Sequence, residues 1–188
     1  MLDVKETNLA GVLILTPKRL VDDRGFFSET FNAKRFQDAG ISAKFVQDNH
    51  SLSLQKGTIR GLHYQTPPKA QAKLVRAVAG SVIDVAVDIR KGSPTFGEHV
   101  AVELSAQNGA QLYIPSGFLH GFATLTENAE IVYKVSDFYS HEHDGSVLWN
   151  SPELNIDWGI SAKDAALSEK DSKAQPWKDF DTPFSFEA

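Results

Sequence analysis

The sequence predicts a mainly β protein, a sandwich or barrel of short strands, on three observations. Residues Ser81–Ile89 alternate, with Ile83, Val85, Val87 and Ile89 on one side and Asp84 and Asp88 on the other. That is the period of two expected of a half-buried strand. Similar short apolar runs recur along the chain, and turn signals built on Gly, Pro and Asn separate them.

In chain order, the first expected strand is Gly11–Leu15. A helix is expected over Ala33–Ala39, because Asn32 is a good N-cap and Gly40 a good stop. Phe45–Leu54 reads as the next strand, closed by Lys56-Gly57. Pro67-Pro68 then precedes a strand over Lys73–Ala79, and Gly80 separates that from Ser81–Ile89. After Lys91-Gly92-Ser93-Pro94 come His99–Leu104, Asn108-Gly109, Gln111–Ile114, Pro115-Ser116-Gly117, Phe122–Leu125 and Glu130–Val135. The tail from Ser151 holds Pro152, Pro176 and Pro183, so loops and short helical turns are expected there. One domain over residues 1–188 is expected, with a core at about 11–150 and the tail, 151–188, packed on it.

The 188 residues carry 19 Lys+Arg and 24 Asp+Glu, a net charge of −5, with 41% hydrophobic and 23% charged residues. This is the profile of a globular domain and not of a disordered chain. The acidic balance disfavours nucleic acid as a partner. No apolar run is long enough to span a bilayer, so no membrane partner is expected. The opening MLDVKETNLAG lacks an apolar signal core, which points to the cytoplasm. The absence of Cys rules out disulfides, thiolate metal sites and a Cys nucleophile.

Chemistry concentrates in a few places. Arg60-Gly61-Leu62-His63-Tyr64 pairs a base with a cation, but residues three apart face opposite sides of a regular strand. A bulge at Gly61 would bring them together. Gly109, Pro115, Gly117 and His120 have the spacing of the second cupin motif, in which a tight turn delivers a His into a double-sheet jelly roll. The first cupin motif is altered: Gln65 replaces its second His, and Lys73 stands where the Glu ligand would be. An ammonium there repels a divalent cation, so no metal is expected. A neutral His can instead take a proton next to a carbonyl while a Lys ammonium stabilises the enolate. Tyr133 is a candidate for returning the proton, or a core aromatic.

Seven ordered motifs together resemble one family. They are Asp22-Asp23-Arg24-Gly25-Phe26-Phe27 with Glu29, Val46-Gln47-Asp48-Asn49-His50-Ser51, Arg60-Gly61-Leu62-His63, Lys73-Leu74-Val75-Arg76, Asp84–Arg90, Pro115 to Phe122, and Ser168-Glu169-Lys170-Asp171. The chain resembles the dTDP-4-dehydrorhamnose 3,5-epimerases from about Gly11 to Pro176. The resemblance implies a mainly β, cupin-type double-sheet jelly roll with short helices near the N-terminus and in the tail. It implies a homodimer acting, without a cofactor, on a dTDP-4-keto-6-deoxy sugar. It assigns His63 as base, Asp171 as its partner, Tyr133 as acid and Lys73 as the enolate's cation. Arg24, Arg60 and Lys170 fall to the diphosphate or nucleotide; Phe27, Glu29, Gln47 and Asn49 to nucleotide or sugar; His120 and Asp144 to the substrate. Some N-terminal contacts are expected from the dimer partner, and Tyr139 could stack on thymine.

Asp144 departs from the family's usual Glu and Ser151 from its frequent Asp. Ser-x-Lys-Asp also occurs twice, at Ser161–Asp164 and Ser168–Asp171; the second is chosen because Leu167 and Pro176 flank it. Two other readings remain: a single-site epimerase of the same family, and a non-catalytic nucleotide-sugar or carbohydrate-binding jelly roll.

Overall fold

The computed structural model describes residues 2–186. Its strands are β1 (Leu2–Glu6), β2 (Leu13–Pro17), β3 (Leu20–Asp22), β4 (Gly25–Phe27), β5 (Gln47–Ser53), β6 (Ile59–Gln65), β7 (Lys73–Ala79), β8 (Ser81–Asp88), β9 (Arg90–Lys91), β10 (His99–Ser105), β11 (Gln111–Ile114), β12 (Phe118–Thr124), β13 (Ala129–Val135), β14 (Asp144–Ser146) and β15 (Phe184–Ser185). A six-stranded sheet runs β1-β2-β11-β7-β13-β5 and a five-stranded sheet β10-β8-β12-β6-β14. Both are antiparallel throughout, and they form the expected double-sheet jelly roll.

The core between the sheets follows from alternation. Val75 and Ala77 of β7 and Ile131 of β13 meet Val82 and Ala86 of β8, Leu104 of β10 and Phe122 of β12. The outer face of the five-stranded sheet is covered by the tail and the segment leading into it: Ile59, Leu62, Val85, Val87 and Leu119 pack on Val147, Trp149, Leu154 and Trp158. On the outer face of the six-stranded sheet, Leu15 and Leu74 pack against Phe36 and Ile41. Phe36 belongs to α1 (Ala33–Asp38), whose N-cap Asn32 accepts a hydrogen bond from the Arg35 amide at 3.2 Å.

Several expectations need correction. β8 is buried on both faces: its apolar side meets the tail, so Asp84 and Asp88 point into the barrel and are 0% exposed. β12 begins at Phe118 rather than Phe122, since Phe118 and Leu119 already pair with Asp88 and Val87. β1 and the β3–β4 hairpin were not expected, and their mostly exposed side chains give no core-facing pattern to read. The tail adds α2 (Glu169–Ser172), three-residue helical turns, and β15, which pairs in parallel with β9. Among the described residues, no helix is long and apolar enough to cross a membrane.

Gly61 places Arg60 and His63 together. Opposite His120 and Phe122 of β12 stand His63 and Arg60 of β6, so β6 holds one extra residue in that stretch. Gly61 has φ +126°, and a Cβ there would lie 2.6 Å from Gly121 Cα and 2.8 Å from the His120 carbonyl oxygen. Only glycine fits this bulge, and with it Arg60 and His63 line one cavity.

Candidate active site

The apolar rows inside the barrel end in polar groups. On β7 the inward series Ala77, Val75 finishes at Lys73, and on β13 the series Ala129, Ile131 continues to Tyr133. Facing them are Arg60 and His63 of β6 and His120 of β12, with Lys170 and Asp171 of α2 closing one side. The cavity measures about 480 Å³. A neighbouring cavity of about 220 Å³ shares His63, Lys73, Tyr133 and Lys170 and adds Gln47, Asn49, Tyr139 and Asp144.

Two His–carboxylate pairs hold the histidines of the larger cavity, one half-buried and one buried. His63 Nε2 lies 2.6 Å from Asp171 Oδ1. Asp171 is 3% exposed, and its Oδ2 accepts from Ser168 Oγ at 2.8 Å. Ser168 is also the N-cap of α2, its Oγ accepting from the Asp171 amide at 3.1 Å, so one residue fixes both backbone and carboxylate. Burial works against the charge on Asp171. Hydrogen bonds from His63 and Ser168, with the neighbouring Lys170 charge, outweigh that and hold its pKa below the usual carboxylate range. Facing an ionised carboxylate, His63 carries its proton on Nε2, which leaves the Nδ1 lone pair free to act as a base. The second pair is His120 Nε2 and Asp84 Oδ1, at 2.8 Å.

Lys73 is 9% exposed. Burial pushes its pKa down to about 8; Asp84 and then Asp144 support its charge, and Lys170 opposes it. Burial raises the Tyr133 pKa, with Arg60 pulling the other way, so the phenol stays protonated at neutral pH. Arg60 is anchored through Nε to Ser53 Oγ at 3.3 Å and through Nη2 to the Leu52 carbonyl at 3.2 Å. In the smaller cavity, Gln47 Nε2 donates to Asn49 Oδ1 at 2.9 Å, and Gln47 Oε1 accepts from the Tyr139 amide at 3.2 Å. Asp144 Oδ2 accepts from Tyr139 Oη at 3.3 Å and pairs with Lys170.

A family model described as dTDP-4-dehydrorhamnose 3,5-epimerase matches residues 6–179. The chain belongs to that family. It is 52% identical to the dTDP-4-dehydrorhamnose 3,5-epimerase of Shigella flexneri, over 96% of this chain and 98% of the relative. The dTDP-6-deoxy-D-glucose-3,5-epimerase of Legionella pneumophila, solved with dTDP-4-keto-L-rhamnose, superposes with a TM-score of 0.95 at 44% identity, over 100% of both chains. A 3'-monoepimerase of Streptomyces bikiniensis, solved with dTDP-quinovose, has the same fold at 32% identity and a TM-score of 0.84, over 90% of this chain and 85% of that one.

Ten of the thirteen residues expected to form the epimerase site line the two cavities: His63, Lys73, Tyr133, Asp171, Arg60, His120, Lys170, Gln47, Asn49 and Asp144. Arg24, Phe27 and Glu29 do not. Arg24 pairs with Asp22 at 2.6 Å on the outward β3–β4 hairpin, Phe27 is 69% exposed, and Glu29 pairs with Arg35 at 2.9 Å. The hairpin exposes Leu20, Val21, Phe26 and Phe27 together. Of the two Ser-x-Lys-Asp copies, only the second reaches His63; Asp164 sits exposed in a three-residue turn. Ser151 is structural, its Oγ donating to the Leu148 carbonyl at 2.9 Å and accepting from the Trp177 amide at 3.0 Å.

The sequence reasoning missed three site groups. Ser168 was legible as an N-cap two residues before Lys170. Ser51 lies on the inward row of β5, and its buried Oγ has no hydrogen-bond partner among the described residues. Asp84 falls on the polar side of the β8 alternation, which gave no sign that this side faces the barrel interior. Among the described residues, no group of three or more His, Cys, Asp and Glu side chains is arranged to hold a metal.

Proposed function

We propose that this chain epimerises dTDP-4-dehydro-6-deoxy-D-glucose at C3 and C5, giving dTDP-4-dehydro-L-rhamnose for dTDP-L-rhamnose biosynthesis. One observation carries the reading. The tethered base His63 stands on the five-stranded sheet and the protonated phenol of Tyr133 on the six-stranded sheet, with the cavity between them. Proton removal from one wall and return from the other inverts a carbon.

The C4 ketone acidifies the hydrogens on both neighbouring carbons. In the substrate's chair those at C3 and C5 are axial on the same face, so a base on one wall serves both. His63 Nδ1 takes the proton, and Asp171 holds the imidazole and stabilises the imidazolium. The Lys73 ammonium steadies the enolate oxygen on C4, and its burial strengthens that interaction. Tyr133 protonates the opposite face. Arg60 and Lys170 receive the diphosphate, Arg60 by forked contacts and Lys170 as a point charge. Gln47, Asn49 and Asp144 meet the nucleotide or sugar, Tyr139 stacks on thymine and His120 contacts the sugar.

Arg24, Phe27 and Glu29 enter the reading through a homodimer. The exposed apolar hairpin packs on a second copy and carries these residues to that copy's nucleotide site. The residues form one domain, and the reaction belongs in the cytoplasm, where activated sugars are made. The 3'-monoepimerase of this fold keeps a second reading open, inversion at C3 alone. Incubation with the sugar nucleotide in deuterated water, followed by NMR, decides. Deuterium at C3 and C5 supports the double epimerase and deuterium at C3 alone the second reading. No exchange overturns both.

A further inference from the structure

We propose that Asp84 is a positioning residue of this site: its carboxylate fixes the orientation and tautomer of His120 through Nε2. The proposal rests on the epimerase reading above and goes beyond it, since it concerns a residue without contact to the sugar.

The placement follows from the sheet register. Asp84 lies on the inward row of β8, opposite Phe122 of β12, while His120 stands opposite Ala86. Asp84 and His120 are thus diagonal neighbours on adjacent strands, within reach of each other's polar ends. The pair is sealed, with side chains 0% and 7% exposed. Asp84 Oδ1 accepts from His120, and Asp84 Oδ2 has no hydrogen-bond partner among the described residues. A fully buried carboxylate with an idle oxygen is costly, and stability alone favours an apolar side chain in its place. Its presence fits a task at the site, where strained or costly groups concentrate.

That task is to hold His120 in one tautomer. Burial, the largest influence, pushes the His120 pKa down, so its imidazole is neutral at pH 7 and carries a single N–H. A carboxylate can only accept, so the N–H sits on Nε2. Nδ1 then offers the sugar an acceptor, which selects a hydroxyl hydrogen rather than an enolate oxygen. His120 therefore leaves the enolate to Lys73. One carboxylate thus keeps the acceptor an acceptor.

Two measurements test this. The first uses the unmodified protein with ¹⁵N-labelled His, the His120 signals being identified by their loss in His120→Gln. A protonated Nε2 and a bare Nδ1 are expected; a protonated Nδ1 overturns the proposal. The second compares Asp84→Asn with the unmodified protein on dTDP-4-dehydro-6-deoxy-D-glucose. Losing the charge should lower kcat about 10- to 100-fold, with a smaller change in KM. Unchanged kcat in an otherwise active protein overturns the proposal. Absence of turnover by the unmodified protein instead sinks the epimerase reading, and the tautomer measurement still decides the role of Asp84. The same measurement decides if Asp84→Asn fails to fold.

Discussion

Asp171 Oδ1 lies 2.6 Å from His63 Nε2, across 108 residues of sequence. The contact ties α2 of the tail to β6 of the barrel, so the tail completes the base as well as covering the outer sheet. Asp171→Asn keeps the shape but loses the charge and allows the amide to donate to the ring. Turnover should fall about 10²- to 10⁴-fold with the fold intact by circular dichroism. Asp164→Asn, in the exposed turn, should leave turnover unchanged. Equal effects of the two changes would move the His63 partner elsewhere.

Lys73 links activity and stability to pH with opposite signs. Only the ammonium stabilises an enolate, so kcat should decline as pH rises through about 8. The folded pKa of about 8 lies below the ordinary lysine value of 10.5. Between about pH 8 and 10.5 the unfolded chain therefore binds the extra proton, and this group's contribution to stability rises with pH. Below about pH 8 both states are charged and the folded state bears the full penalty. Lys73→Met should abolish activity and raise stability at pH 7 by on the order of 3 kcal/mol in chemical denaturation. A destabilised Lys73→Met protein would contradict this account of its burial.

Gly61→Ala tests the bulge. The added methyl meets Gly121 Cα at 2.6 Å and the His120 oxygen at 2.8 Å, both on backbone that cannot step aside cheaply. A loss of about 2–4 kcal/mol in stability is expected, with turnover falling further as His63 and Arg60 lose their common direction. Native stability would show that β6 can adopt another register there.

The dimer reading predicts complementation. Arg24→Ala and His63→Ala chains should each be weakly active or inactive alone. If the hairpin completes the partner's site, each mixed dimer carries one intact site. Random mixing should then restore about a quarter of the native activity, measured after co-refolding. Recovery absent from a verified mixed dimer would place Arg24 in its own chain's site or outside both.

Much of this site was legible in the sequence because its residues sit at fixed offsets from turns and strands. Gly117 turns the chain and His120 follows on β12; Lys73 opens an alternating strand; Asn32 and Gly40 bracket α1. The failures have physical causes. Alternation around Asp84 gives two faces but cannot say which is inside, and the tail that buries the apolar face lies more than sixty residues away. β1 and the β3–β4 hairpin form through pairing with neighbouring strands and bury little, so their composition resembles loop. Arg24, Phe27 and Glu29 share a motif with the site but not a surface within one chain.

The central claim is that base and acid act from opposite walls. The most direct test is Tyr133→Phe with dTDP-4-dehydro-6-deoxy-D-glucose in deuterated water, following exchange and configuration together by NMR. The account predicts that deuterium enters C3 and C5 at a rate set by His63 while inversion lags far behind exchange. Inversion that keeps pace with exchange in Tyr133→Phe would contradict it.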